Sequence, residues 1–352
     1  MSFDRAFEAW TGYVREVTAA WSTAAASVSG IEVPRPRLAP TPRSELALDG
    51  GARLYHFHGT AAARGVPLLL IPSLINRWYV LDLRAGASLV EALVGAGIDV
   101  WCLDWGVPEA EARYLDWEAV LARLARATRR VRRETGHARL ALLGYCMGGT
   151  LTAIHAAQHP DELQALVTLA APIDFEAAGM LRRMVDPRWF DADAIADAGN
   201  VAPAQMQAGF TALRPTLDFA KLMSMPDLID DPRAREAFVA LETWAGDNIA
   251  FPGEAYRRYI REMYQDNELA RGVHRVSGRT VDLMAIRCPT LAIVATRDAI
   301  CPPAAATALL DRVGTLDTKT IVVEGGHVGA VVGSRAARDM YPALRDWLAS
   351  RL

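Results

Sequence analysis

The sequence predicts an α/β protein in which a mostly parallel central sheet, covered by helices on both faces, is interrupted by a helical insertion. Three observations carry this expectation. Short apolar runs without polar alternation, such as Pro67 to Ile71, Leu140 to Leu143 and Leu163 to Leu169, are separated by helical stretches, the pattern of strands buried on both faces. That rhythm stops at "APIDF", and from Phe175 to Asp282 helical, aromatic-rich pieces follow one another with no strand able to extend the sheet. It resumes at "PTLAIVATRD", Pro289 to Asp298, and at "TKTIVVEGGH".

Taken in order, Phe3, Phe7, Trp10, Val14, Val17 and Trp21 recur at intervals of three and four and predict a helix with one apolar stripe. Such a stripe either docks on its own domain or meets a partner subunit or a hydrophobic product. "PRPRLAPTP", Pro34 to Pro42, cannot continue a helix and predicts an extended tether. Strand pieces follow at Leu46–Leu48 and Leu54–Phe57, then the run ending at Ile71, a helix through "AGASLVEALVGAG" and a strand from Ile98 in "IDVWCLDW". A long Ala/Arg/Leu helix from Trp117 to Glu134, a helix through "GGTLTAIHAAQ" and a closing helix from Arg335 to Leu352 complete the pattern. The expected organisation is residues 1–42 as helix and tether, 43–174 and 283–352 as two parts of one core, and 175–282 as a cap over the C-terminal edge of the sheet.

With 352 residues and 51% hydrophobic content the chain can bury a large core. Its 38 basic and 41 acidic side chains give a formal charge of -3, so nothing global steers it towards nucleic acid or anionic lipid. Lys221 and Lys319 are the only lysines. Cys102, Cys146, Cys288 and Cys301 form no CxxC pair and read as reduced thiols in a cytoplasmic setting. The N-terminus does not read as a signal peptide, and no uncharged apolar stretch reaches the roughly 18 residues a membrane span needs.

The stretch "LALLGYCMGGT", Leu140 to Thr150, carries the chemistry. Glycines two positions either side of Cys146, between an apolar run and a helix, make a sharp strand-to-helix turn that presents the side chain at a helix N-terminus, where the dipole favours a thiolate. The same turn aims the Met147 amide at a developing oxyanion, and a second amide is expected from "PSLIN", near Leu74 or Ile75. Asp298 follows one later apolar run and His327 follows the next, in "EGGHVGA". The order nucleophile, acid, histidine is that of the α/β-hydrolase class. His56, His58, His137, His155, His159 and His274 compete poorly for a chemical role. His56 and His58 alternate in a metal-like way but lack a third ligand, so no metal and no cofactor are expected. Asp104 and Cys301 read as structural.

Several further strings are far more specific: "INRWYVLDL", "DWGVP", "LLGYCMGGTL", "YQDNELARG", "GRTVDL" and "GGHVG". From about Thr41 to the C-terminus the chain resembles the polyhydroxyalkanoate synthases, especially the short catalytic subunits of the two-component class III type. The resemblance implies an acyltransferase that joins (R)-3-hydroxyacyl units from coenzyme A thioesters into a growing polyester, with Cys146 as nucleophile, His327 as base and Asp298 as its orienting acid. It also implies a homodimer on a polyester granule surface and a separate non-catalytic partner subunit. Two positions depart from the family pattern. Ala299 stands where histidine commonly follows the acid, and Met147 where glutamine often follows the cysteine. Both sit beside the site and bear on substrate preference or on transfer against hydrolysis.

The insertion would cover the site with aromatic side chains, among them Trp244, Phe251 and Tyr256, which are expected to touch substrate; they serve equally as the packed core of a helical cap. A thioesterase or esterase using the same three residues would release free hydroxy acid in place of polymer. A non-catalytic granule protein would show no turnover.

Overall fold

The computed structural model describes residues 36–60, 63–213 and 231–352. The N-terminal stripe, the start of the tether and the segment 214–230 lie outside these. Eight strands form one sheet: β1 (Arg43–Ala47), β2 (Arg53–Phe57), β3 (Arg64–Ile71), β4 (Ile98–Asp104), β5 (Leu140–Tyr145), β6 (Leu163–Leu169), β7 (Thr290–Ala295) and β8 (Thr318–Val323). Their spatial order is β1-β2-β4-β3-β5-β6-β7-β8. β1 and β2 pair antiparallel, as do β2 and β4, and all later neighbours run parallel.

The sheet has a core on each face. Alternate residues of one strand enter different clusters: Leu69 and Ile71 pack with Leu142, Trp117 and Leu151, whereas Leu68 and Leu70 pack with Leu143, Leu93 and Trp347. This is why β3, β5 and β6 read as unbroken apolar runs. The edges differ. β1 carries exposed Arg43, Ser44 and Glu45, and β8 alternates, with Ile321 and Val323 buried and Val322 exposed. Polar edge positions oppose pairing with another chain.

Helix α1 (Leu89–Gly95) starts where the Ser88 hydroxyl accepts the Glu91 amide at 2.8 Å. The "AGAS" expected as its first turn instead contributes Ala87–Ser88 to a hairpin with Asp82–Arg84. The cause is Asp82: fully buried, it accepts hydrogen bonds from Ser88 Oγ at 2.6 Å and from the amide and hydroxyl of Thr41 at 3.1 and 2.8 Å. Helix α2 (Trp117–Thr135) is capped by Asp116 and ends on Gly136 at φ 73°, a left-handed stop. Helix α3 (Met147–Gln158), built of small and apolar residues, is buried along nearly its whole length.

Between β6 and β7 no described residue joins the main sheet. That segment holds helices α4 (Gly179–Met184), α5 (Ala192–Asp197), α6 (Pro203–Ala212), α7 (Pro232–Gly246) and α8 (Gly253–Arg258), followed by a π-helical turn, Tyr259–Gln265. An isolated bridge between Val201 and Phe251 ties its two halves together. Among the described residues no helix is long and apolar enough to cross a membrane.

Candidate active site

Cys146, Asp298 and His327 follow β5, β7 and β8, which run parallel in one sheet with only β6 between β5 and β7, so the three residues meet at the C-terminal edge of the sheet. Cys146 sits at φ 54°, ψ −129°, a conformation that an L-residue holds only where its surroundings enforce it. Its amide donates to the Leu169 carbonyl at 2.9 Å and its carbonyl accepts the Gly149 amide at 2.9 Å. The neighbouring glycines are steric requirements. A Cβ on Gly148 would strike the carbonyl oxygens of Ile71 and Pro72, one on Gly144 would strike Gly149, and one on Gly149 would strike Ala171. Met147 begins α3, so its amide is among the first four that a helix leaves without an internal partner.

His327 Nδ1 lies 2.7 Å from Asp298 Oδ2, and the imidazole is hydrogen-bonded to Cys146. Asp298 Oδ1 accepts the amides of Ile300 and Cys301, both at 2.8 Å, and the carboxylate side chain is fully buried. Burial alone would push His327 down. The charge of the Cys146 sulfur, the Asp298 hydrogen bond, the Cys146 hydrogen bond and the Asp298 charge outweigh it and hold the imidazole up to about 10. Cys301 is buried, and burial, with the nearby Asp298 and Cys146 charges, pushes its thiol well up, so it remains a neutral packing group. The Tyr145 ring lies 5.3 Å from the His327 ring and backs it.

Two residues that sequence reasoning did not single out complete the surroundings. Tyr259 and Tyr264, both on the π-helical turn, are buried and hydrogen-bonded to each other through their hydroxyls. Burial pushes both hydroxyls up. Tyr264 and Cys146 add to this at Tyr259, and Cys146 and Cys301 at Tyr264. Tyr264 opens the string "YQDNELARG", whereas Tyr259 lies upstream of it, and π-helical turns are often found at functional sites. Phe251 and Tyr256, expected to touch substrate, pack edge to face at 5.5 Å and join this aromatic group through Tyr259, 6.1 Å from Phe251. Trp244 belongs to the core on the other face of the sheet, and its indole N–H donates to the Arg77 carbonyl at 3.0 Å. Leu74 and Ile75 are buried in the loop that follows β3.

His56 and His58 are accounted for by their partners. His56 bonds Asp99 at 2.8 Å and stacks on Trp101, and His58 bonds Ser44. Asp104 is structural, accepting from the Tyr55 hydroxyl at 3.1 Å and the Gly106 amide at 3.0 Å. Among the described residues, Glu262, Glu268 and His274 bring one potential metal-ligand atom each within 4.8 Å of one another. His274 Nδ1 lies 3.0 Å from Glu262 and 3.5 Å from Glu268, and Glu262 also pairs with Arg258 at 2.6 Å. Glu262 is thus shared between Arg258 and His274 in one polar cluster.

A cysteine with strained backbone after β5, with an aspartate and a histidine after β7 and β8, fits the class: the chain belongs to the α/β hydrolase fold family, whose model matches residues 66–333. Solved structures agree on the fold, among them a monoacylglycerol lipase from Paleococcus ferrophilus (18% identity, TM-score 0.53, covering 85% of this chain and 99% of that one) and an esterase from Thermogutta terrifontis (17%, TM-score 0.50, 88% and 98%). Within that class the chain belongs to the poly(3-hydroxyalkanoate) polymerase family of the PhaC type. It is 33% identical over 297 residues to the poly(3-hydroxyalkanoate) polymerase subunit PhaC of Allochromatium vinosum, spanning 83% of each chain. It is 34% identical over 339 residues to that of Haloferax mediterranei, spanning 95% of this chain and 68% of the relative, and 32% identical over 321 residues to that of Synechocystis, spanning 88% and 85%.

Proposed function

We propose that the chain polymerises (R)-3-hydroxyacyl units from coenzyme A thioesters through a covalent intermediate on Cys146. The observation that carries this mechanism is the continuous relay from Cys146 through His327 to a buried, fully hydrogen-bonded Asp298. In the resting site His327 takes the Cys146 proton, and the thiolate attacks the thioester carbonyl. The oxyanion is held by the Met147 amide and by an amide of the turn at Leu74 and Ile75. As the C–S bond to coenzyme A breaks, the leaving thiolate takes the proton from His327 and departs as a thiol.

Acylation then changes the histidine. With the sulfur charge gone, its largest raising influence is lost and burial pulls its proton affinity down. His327 is thereby reset as a base for the 3-hydroxyl of the next unit, which attacks the acyl-cysteine, forms the ester and returns the charged Cys146–His327 pair. Asp298 keeps the imidazole in the tautomer with a hydrogen on Nδ1 throughout.

The segment 175–282 serves as a cap. Tyr259 and Tyr264 form its wall beside the sulfur, with Phe251 and Tyr256 behind them, and a covered, apolar site favours an alcohol over water as acceptor. The working form is a homodimer on a cytoplasmic polyester granule, assisted by a non-catalytic partner subunit, as the sequence resemblance implies.

Incubation of the purified chain with (R)-3-hydroxybutyryl-CoA, with and without a class III partner subunit, tests this when free thiol and product mass are followed together. Release of CoA with high-mass polyester, lost in Cys146→Ala and His327→Ala, is the expected result. Release of CoA with only monomeric hydroxy acid would make the chain a hydrolase.

A further inference from the structure

The loop after β3 is gripped at its two ends by different parts of the chain. At its start, the Pro72 carbonyl accepts the Trp105 indole N–H at 3.0 Å, and Gly148 packs directly against the Ile71 and Pro72 carbonyls. Both holds come from the core of the fold. At its far end the holds come from the insertion, from the last turn of α7 and the residues just past it. The Ile249 amide donates to the Ile75 carbonyl at 3.2 Å, and Trp244 Nε1 to the Arg77 carbonyl at 3.0 Å. The Asn76 side-chain amide donates to Asn248 Oδ1. One oxygen of Asp247 accepts the hydroxyl of buried Tyr79 at 2.6 Å and pairs with Arg77 Nε at 3.3 Å.

These contacts fix main-chain directions. In a trans peptide the C=O and the following N–H point in opposite directions, so a carbonyl of Ile75 pinned towards the insertion sets the plane of the peptide next to the expected donor amides. We propose that Asp247, acting through Tyr79 and Arg77 and supported by Trp244 and Asn248, is a positioning residue for the oxyanion-binding turn, so that the insertion as well as the core sets the competence of Cys146. This role rests on the acyl-transfer reading above. It also reassigns Trp244, expected to touch substrate, as a brace of the loop. Acylation and deacylation both pass through an oxyanion, so a loosened turn slows both steps while leaving ground-state binding of the thioester nearly unchanged.

The test compares wild type, Asp247→Ala, Asp247→Asn and Tyr79→Phe by CoA release from (R)-3-hydroxybutyryl-CoA, by thermal melting, and by the rate at which iodoacetamide alkylates Cys146. Alkylation uses the thiolate but no oxyanion hole. In Asp247→Ala, kcat is expected to fall about 10- to 100-fold, the cost of misplacing a donor by a fraction of an ångström to an ångström. KM should stay within about 3-fold and the alkylation rate within about 2-fold. Asp247→Asn, which retains an oxygen for the Tyr79 hydroxyl, should recover most of the lost kcat. An unchanged kcat in Asp247→Ala beside an active wild type, or alkylation that falls in step with kcat, would overturn the positioning role. A wild type whose Cys146 is alkylated but which releases no CoA with the partner subunit present would instead overturn the acyl-transfer reading, and the positioning role with it.

Discussion

Asp298 faces His327 with one carboxylate oxygen, at 2.7 Å, while its other oxygen is occupied by the amides of Ile300 and Cys301. The carboxylate therefore cannot turn over without orphaning two buried donors. An asparagine in its place must keep its oxygen towards those amides and present its NH2 to His327. That forces the hydrogen of the neutral imidazole onto Nε2, where it cannot accept the proton of Cys146. Asp298→Asn is expected to lower CoA release by about 10³- to 10⁴-fold with little change in melting temperature. Asp298→Ala, which leaves both amides unpaired, is expected to lose the activity and in addition about 1–3 kcal/mol of stability. Turnover assays beside thermal melts distinguish the two.

The raised proton affinity of His327 depends on the sulfur next to it. In Cys146→Ala, burial remains and the Cys146 influences vanish, so the imidazole is expected to titrate well below the value of about 10 that it holds in the intact site. NMR titration of the His327 ring in the two proteins measures this. A variant that still titrates near 10 would mean that Asp298 alone retains the proton and that acylation does not reset the base.

Glycine substitutions separate the elbow from ordinary helix. Gly148→Ala drives a methyl into the Ile71 and Pro72 carbonyls and is expected to cost about 3 kcal/mol or more and to abolish turnover. Gly209→Ala, inside α6 with nothing within 4 Å of the added carbon, is expected to stabilise by about 0.5–1 kcal/mol. Chemical denaturation of both variants checks the pair.

Acid sensitivity should trace to His155. This buried ring on α3 is pushed down to about 3, chiefly by burial, with His159, Arg129 and Arg132 adding to the effect, and with Glu162 only as near as 4.0 Å. Between about pH 6.5 and pH 3 the unfolded chain binds a proton there that the folded one refuses. The residue thus contributes a loss of stability of up to about 1.4 kcal/mol per pH unit as the pH falls through that window. His155→Gln, or a similar neutral replacement that folds, is expected to flatten the acid limb of the stability curve, measured by denaturation at several pH values.

The elbow was legible in the sequence because everything it needs is local: a strand, two glycines and a helix within "LALLGYCMGGT". Asp298 and His327 were legible because each falls directly after an apolar run, and parallel strands bring such positions to one edge. The aromatic side chains of the insertion were not. Trp244 reads like a pocket residue, yet its indole serves the Arg77 carbonyl. Tyr259 and Tyr264, placed beside the sulfur by a π-helical turn, do not differ in composition from Phe251 and Tyr256. The hairpin at Ala87–Ser88 was hidden for a related reason, since it depends on Asp82 and the Thr41 that it captures.

By itself the sequence determined the alternation of buried strands and helices, the interruption after β6, the strained turn at Cys146 and the order of Asp298 and His327 behind it. Each of these follows from spacing along the chain and from the steric demands of neighbouring residues. Only the tertiary structure decided which side chains close around Cys146 and what holds the loop that faces it. The bonds from Asn76, Tyr79 and Trp244 join residues about 170 positions apart. Contacts at that separation exist only once the sheet has packed its two faces, and no local pattern encodes which of several aromatic or acidic residues will be the one brought within reach.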